Sequence, residues 1–388
     1  MKIGILGAGI GGLSTAIALT LAGYKVDVYE RHTAMSTIGA GIVCWPNACF
    51  VLDKLGVLKR LVLVSKSLNK MNRFSHDGEA IGSIDINNLN EKMGYASYSI
   101  IREDLMLILI ERALELNINI HYSHNAIEIS DRDTERVNVK FENGKSIQPD
   151  VIVGADGRMS SITRKYVNND NTPIYQGFIN WIGVFESSDD IFNDMSVSDY
   201  WGIGDRFGIV PVSSKTAYWA GGTVSEHINP KDPKRYKQEL LSIFSHWADP
   251  IASIINKTLL SRINKIYIHD HDPIRKWYKN NVILLGDAAH AALPTSGQGA
   301  CQAIEDAWHF TNALNKDRDN ISLAFKRFTQ LRIDKTTNIT NGGRQLAASI
   351  FNSDPEFCIQ RNLISKTTNY QGLVNGMANG WASGLPMN

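Results

Sequence analysis

KIGILGAGIGGLSTAIALTLAGYKVDVYE, residues 2–30, is the stretch whose reading decides the fold. Residues 3–6 are apolar or glycine throughout, which suits a parallel strand buried on both faces. Residues 10–22 read as a helix with small side chains on one face, and KVDVY at 25–29 as a second strand. The turn between strand and helix holds Gly7-x-Gly9-x-x-Gly12. Such glycines permit a tight turn, let backbone amides approach a pyrophosphate at the helix N-terminus, and allow helix and strand to pack closely. Glu30, which closes the second strand 18 residues beyond Gly12, is set to accept hydrogen bonds from a ribose. Strand, turn, helix and terminal acid together predict a dinucleotide site, where a bare triplet would not. Arg31 would suit the 2′-phosphate of NADP, but Glu30 beside it argues against that.

The 388 residues are 43% hydrophobic and 20% charged, an ordinary soluble composition and enough chain for two large cores. Forty basic against 39 acidic residues leave a net charge of +1, so there is no electrostatic case for nucleic acid or an anionic membrane. A small molecule is the expected partner, and a monomer or homodimer the expected state. Cys44, Cys49, Cys301 and Cys358 lack the paired spacing of a zinc site and are too few to staple so long a chain, so no metal, buried thiols and a reducing cytoplasm are expected. The apolar stretch after Lys2 is interrupted by five glycines and returns at once to a strand, unlike a signal peptide. No run reaches the roughly 18 apolar residues that would span a bilayer, so no integral membrane segment is expected.

Further along, helices are predicted near 47–62, 103–116, 234–257, 299–315 and 321–350, and a hairpin around Asn143-Gly144. Between about 172 and 275 the pattern changes to alternating aromatic and polar strands, FINWIGVF, DYWGI, RFGIVPV and AYWAGG. The reading is an α/β domain over 1–171 and 276–350 with a mainly antiparallel sheet inserted at 172–275. The tail, 351–388, is glycine-rich, weakly periodic and unassigned.

Two later stretches repeat the combination of strand end, glycine and acid: GADGR at 154–158 and GDAAHAALPTSGQG at 286–299. Taken singly, Asp156 is a turn residue and Asp287 a helix cap. Three such stations beside one glycine triplet suit a single long cofactor crossing the strand ends, with a ribityl chain that needs its own acceptor. His290 reads as structural rather than as a general base.

GAGIGGLSTAIALTLAGYKVDVYER, IIREDL, VGADGRMSSITR and LLGDAAHAALPTSGQGACQAIEDA together resemble the single-component FAD-dependent aromatic hydroxylases, the para-hydroxybenzoate hydroxylase fold. WPN at 45–47 and GQGACQAIEDA are most similar to the branch with salicylate, 3-hydroxybenzoate and urate hydroxylases and zeaxanthin epoxidase. The resemblance covers about residues 1–345. It implies a Rossmann-like FAD-binding domain, an inserted antiparallel substrate sheet and C-terminal helices. It assigns Gly7, Gly9, Gly11 and Gly12 with neighbouring amides to the FAD pyrophosphate, Glu30 to the adenosine ribose, Arg31 and Arg102 to the phosphate side, and Asp287 to the ribityl hydroxyls. Val43 and Ala126 become backbone contacts, and Asp156 resembles an acid near the pyrophosphate and the reductant's path. Pro294 shapes the wall beside the ring, while Ser296, Gly297, Gln298, Gly299 and Ala300 bring helix amides toward the flavin N1 and C2 oxygen. The partial positive charge of a helix N-terminus there favours the anion formed on reduction.

The chemistry implied is reduction by transiently bound NAD(P)H, addition of O2 at flavin C4a, and transfer of the distal peroxide oxygen to an electron-rich ring. Asn180, Arg206 and Tyr218 fall where the urate-type branch has substrate contacts. Arg206 would pair with a carboxylate or phenolate, Tyr218 would relay a proton, and Asn180 would fix orientation. Urate-hydroxylating relatives carry an acid after the proline where this chain has Thr295, which argues against urate. Trp181, Trp201 and Trp219 read as core or pocket wall. Two alternatives stand beside this reading: a flavin-dependent halogenase, disfavoured by Trp181-Ile182-Gly183 in place of a GWxWxIP signature, and a protein that binds flavin and ligand without turnover.

Overall fold

A computed structural model describes residues 1–35, 39–130 and 136–387. At its centre is a six-stranded sheet in the order Tyr278–Lys279, Val282–Leu284, Val151–Gly154, Lys2–Leu6, Lys25–Tyr29, Asn119–His121. Every neighbouring pair is parallel except the first, at the edge. Ile3, Ile5, Val151, Ile152, Val153 and Val282 are all fully buried, as a parallel sheet covered on both faces requires. Register has a direct consequence for function. Leu6 pairs with both Tyr29 and Gly154, and Gly154 pairs with Leu284. Gly7, Glu30, Ala155 and Leu285 therefore leave the sheet at one level of its carboxyl edge, where open α/β sheets hold ligands.

The second sheet has seven strands, ordered Asn264–Asp270, Ile174–Glu186, Thr216–Val224, Asp205–Pro211, Ser196–Trp201, Lys70–Ser75, Ala80–Asp85. It is broader than the segment 172–275. Two strands come from upstream, and Lys70–Ser75 pairs parallel with Ser196–Trp201. Both are short and half polar; they pair with each other as an antiparallel hairpin, and Lys70–Ser75 joins that hairpin to the rest of the sheet. Trp181, Phe207 and Trp219 point into a core closed by helices Tyr236–Phe244 and Ile251–Lys257. By strand alternation Asn180, Arg206 and Tyr218 point the other way. A third sheet, Gly41–Cys44, Tyr98–Ile101 and Lys66–Ser67, adjoins that second face: Ser99 Oγ donates to the Pro211 carbonyl.

The helix expected at 47–62 is two, Pro46–Lys54 and Leu58–Val64, separated where Gly56 adopts φ +75°. The tail forms helices Pro355–Thr367 and Tyr370–Ala382. Gly372, Gly376 and Gly380 each weaken the second helix by about 1 kcal/mol relative to alanine, which is why its pattern looked irregular. Packing of Leu373, Val374, Met377, Ala378 and Trp381 on the main core compensates. No helix among the described residues is long and apolar enough to cross a membrane.

Candidate active site

The first turn is built by its glycines. Gly7 has φ +106°, a conformation L side chains avoid, and a Cβ there would overlap the Ala155 carbonyl. A Cβ on Gly12 would overlap the Gly7 carbonyl oxygen. At Gly9 nothing lies within 4 Å of the equivalent point, so its backbone borders open space. That space is a cleft of about 260 Å³ lined by Gly7, Gly9, Glu30, Arg31, Arg102, Ala126 and Asp156, with Tyr122 and His124. Gly11 also serves close packing, since a Cβ there would stand 3.1 Å from Ala303 Cβ on helix Gly299–Lys316. Glu30 accepts from the Ala8 N–H at 2.8 Å and the His32 N–H at 2.9 Å, and its Oε1 lies 2.7 Å from His32 Nδ1. Arg31 donates to Ser160 Oγ. Burial lowers the pKa of Arg102 while the charge of Asp287 works against it, so this cleft residue senses the third turn.

At the second turn Asp156 accepts hydrogen bonds from Ser161 Oγ at 2.6 Å, the Thr163 N–H at 3.1 Å and the Thr163 hydroxyl. Burial raises its pKa against the pull of those donors. Its carboxylate thus braces the start of helix Ile162–Asn168.

At the third, Asp287 opens the short helix Asp287–His290, with Oδ2 3.8 Å from Arg158 Nη1. Gly286, at φ +55°, donates its N–H to buried Asp306 at 2.8 Å, and Asp306 also meets His290 Nε2 at 2.6 Å and Arg332 Nε at 2.7 Å. His290 is therefore a buried strut. The amides of Ser296 and Gly297 bond to the carbonyls of Leu293 and Pro294, both at 3.0 Å, and that of Gln298 reaches Ser296 Oγ at 3.2 Å. The buried Gln298 side chain is held by Asn47 and Gln302. This narrows the expected row of five amides: Gly299 and Ala300, in the first helical turn, are the two with no acceptor among the described residues. The Val43 carbonyl accepts from Cys301 Sγ at 3.3 Å, and Thr295 Oγ1 donates to the Gly343 carbonyl at 2.7 Å. An open backbone at Gly9, unengaged amides at Gly299 and Ala300, and carboxylates at Glu30 and Asp287 fit a dinucleotide with a ribityl chain.

On the seven-stranded sheet, Asn180 pairs with Gly222 and Gly222 with Arg206, so the three form one row. Tyr218, four residues before Gly222, shares their face. A Cβ on Gly222 would overlap Asn180 Oδ1, and one on Gly208 would have only Arg206 Nη2 and Asp199 Oδ1 near it, each at 3.9 Å. Arg206 Nε donates to Asp199 Oδ1 at 2.6 Å, and Asp199, 3% exposed, also accepts from Trp201 Nε1 at 2.9 Å. Arg206 Nη1 and Nη2 have no hydrogen-bond acceptor among the described residues, so this edge of the guanidinium can take an anion. The Tyr218 ring lies where a Cβ on Gly41 would stand. Burial above all, with Cys44 and Cys301 nearby, pushes its phenol pKa far up despite Arg206, leaving a neutral O–H donor at neutral pH. The sequence reading missed Asp199. Its signal was present in DYWGIGDR, an acid and an arginine on facing strands of one hairpin.

Oxygenation of a bound ring needs a redox cofactor and a wall that holds charge, close together. Strand Gly41–Cys44 makes that junction, with Gly41 against Tyr218 and Val43 bonded to Cys301. This is the plan of the single-component FAD-dependent monooxygenases. The chain belongs to the FAD binding domain family, whose signature matches residues 1–317. It is 31% identical to aurachin C monooxygenase/isomerase of Stigmatella aurantiaca, over 88% of each chain. It is 30% identical to the FAD-dependent urate hydroxylase of Mycolicibacterium vanbaalenii, over 92% of this chain and 90% of the relative. The crystal structure of Klebsiella pneumoniae HpxO complexed with FAD and uric acid matches with a TM-score of 0.90 at 26% identity, covering 99% of this chain and 97% of that one. The protein is a flavoprotein oxidoreductase with FAD as cofactor, as the sequence resemblance implied.

Proposed function

We propose that this protein uses NAD(P)H and O2 to hydroxylate an electron-rich aromatic or heteroaromatic small molecule held against Asn180, Arg206 and Tyr218. The observation that carries the reading is the tether on Arg206: Asp199 takes Nε, and the Nη pair is left for a carboxylate or ionised hydroxyl. FAD, when bound, supplies the oxygen-activating redox chemistry. The chain's own residues bind, orient and manage charge. Gly7, Gly9, Gly11, Gly12, Glu30, Arg31, Arg102, Ala126 and Asp156 hold the adenosine and pyrophosphate end, and Asp287 holds the ribityl hydroxyls. Val43 and the turn from Ser296 to Ala300 border the ring, with the amides of Gly299 and Ala300 facing its anionic edge. Tyr218 stays protonated and donates to a substrate oxyanion. Thr295 has committed its hydroxyl to Gly343 and offers no carboxylate, so the substrate is one that ionises without a base at that position, which separates this reading from urate. Residues 1–171 and 276–350 act as the cofactor domain and 172–275 as the core of the substrate domain. Four free buried cysteines support a cytoplasmic setting, as monomer or homodimer.

The test is a screen of hydroxylated benzoates and nitrogen heteroaromatics for substrate-stimulated NAD(P)H oxidation under isotopically labelled O2. The expected result is one labelled oxygen atom in the product. A ligand that binds tightly yet neither speeds oxidation nor gains label would establish a binding protein instead. Arg206→Ala should lower kcat/KM by at least about 30-fold, the lower range for truncating one partner of a hydrogen-bonded ion pair, while FAD content stays unchanged.

A further inference from the structure

We propose that the C-terminal helix Tyr370–Ala382 positions the flavin-facing turn through a pair of tryptophans, and that Trp45 is the positioning residue that fixes the Gly297 peptide. This rests on the reading that the flavin ring lies against Gly299 and Ala300. Trp45 is 4% exposed, and its indole N–H donates to the Gly297 carbonyl at 2.8 Å. Gly297, at φ +62°, closes the turn that delivers the chain to helix Gly299–Lys316. Because a trans peptide is planar, an oxygen committed to the indole fixes the orientation of the whole 297–298 unit. Without that donor only the Gln298 N–H to Ser296 Oγ bond, at 3.2 Å, restrains the unit, and a carbonyl dipole turned toward a reduced, anionic ring would oppose the two helix amides.

Trp45 is itself backed by the tail. The Trp381 ring lies 5.0 Å from the Trp45 ring at an interplanar angle of 47°. The end of the tail helix is pinned by Lys335, whose Nζ donates to the carbonyls of Trp381 and Ser383, each at 2.8 Å, and to Glu305 at 2.7 Å. Glu305 belongs to the helix that begins with Gly299 and Ala300. One buried cation thus ties the tail to the element carrying the amides, while the tryptophan pair ties it to the turn before them. The segment that the sequence left unassigned becomes part of the cofactor's environment.

The experiment uses purified holoenzyme of the wild type, Trp45→Phe, Trp381→Ala and Trp381→Phe. Flavin midpoint potential, FAD dissociation constant and apoprotein Tm are measured for each. Trp45→Phe keeps an aromatic face toward Trp381 but removes the N–H. It should weaken the preference for reduced over oxidised flavin by about tenfold, a fall of about 30 mV for a two-electron couple. Trp381→Ala should shift the potential in the same direction by less, and Trp381→Phe should restore it. A potential unchanged in both Trp45→Phe and Trp381→Ala with flavin still bound overturns the proposal, even if apoprotein Tm falls, because a purely structural contact would move Tm alone. A wild type that takes up no flavin overturns the flavin reading beneath it, a result distinct from a bound flavin with an unmoved potential.

Discussion

The first and third glycine turns stand at the same edge of one sheet, and they are held in different ways. Around Gly7 the constraints are backbone ones: a positive φ, a helix that starts three residues on, and carbonyls too close for any side chain. Around Gly286 they are side chains from distant parts of the chain. Asp306 holds the Gly286 amide, Arg332 and His290 hold Asp306, Trp45 holds Gly297, and helix Ile321–Ile350 receives Thr295 at Gly343. A turn made by its own glycines is rigid at little cost elsewhere. A turn made by a buried ionic network depends on every member of it.

That contrast can be broken at either end. The largest effect should come from the network: Arg332 is fully buried between Glu305 and Asp306, and removing one member of such a cluster costs about 3–5 kcal/mol. Arg332→Ala should lose that much in denaturant unfolding, and a loss below about 1 kcal/mol would show the network to be incidental. The same cluster sets an acid limit. Burial works against the charge on Glu305, but Arg332, His309 and Lys335 outweigh it and hold its carboxyl well below the ordinary range. A depressed folded pKa gives stability that is complete above the unfolded value of about 4.3 and is lost as pH falls through the folded one. Wild-type stability should therefore decline below about pH 4, and more steeply than that of Glu305→Gln. A more local effect is expected at the first turn. Gly7→Ala forces a side chain into a left-handed backbone, a strain of about 1–3 kcal/mol, and drives its Cβ into the Ala155 carbonyl, so the turn must shift and the flavin site should empty. Retention of full flavin content by that variant would mean that the first turn tolerates rearrangement.

The difference between the turns also explains what the sequence disclosed. The βαβ unit, the three stations and the hairpin around Asn143-Gly144 were legible because their causes are local: apolar strands, glycines at fixed spacing and acids at strand ends. Asn180, Arg206 and Tyr218 were picked out by the resemblance, and alternation along the observed strands sets them on one face, opposite Trp181, Phe207 and Trp219. The hairpin of Lys70–Ser75 and Ala80–Asp85 was not read from the sequence, and its place in this sheet was not legible, since Lys70–Ser75 joins the sheet by pairing with a segment more than a hundred residues later. Nor was the helix Tyr370–Ala382, whose glycines conceal an apolar face that only the core reveals. Asp199 and Trp45 stood in stretches that the sequence displayed, DYWGIGDR and WPN, but their tasks come from the groups they meet in space, Arg206 and the Gly297 carbonyl.

The central claim is that three strand-end turns converge on one FAD, and flavin occupancy of Asp287→Ala tests it most directly. Wild-type protein purified with added FAD should be yellow, with close to one flavin per chain. Asp287→Ala should keep its fold by circular dichroism and emerge largely colourless. An Asp287→Ala protein with undiminished flavin would contradict the convergence of the third turn with the first.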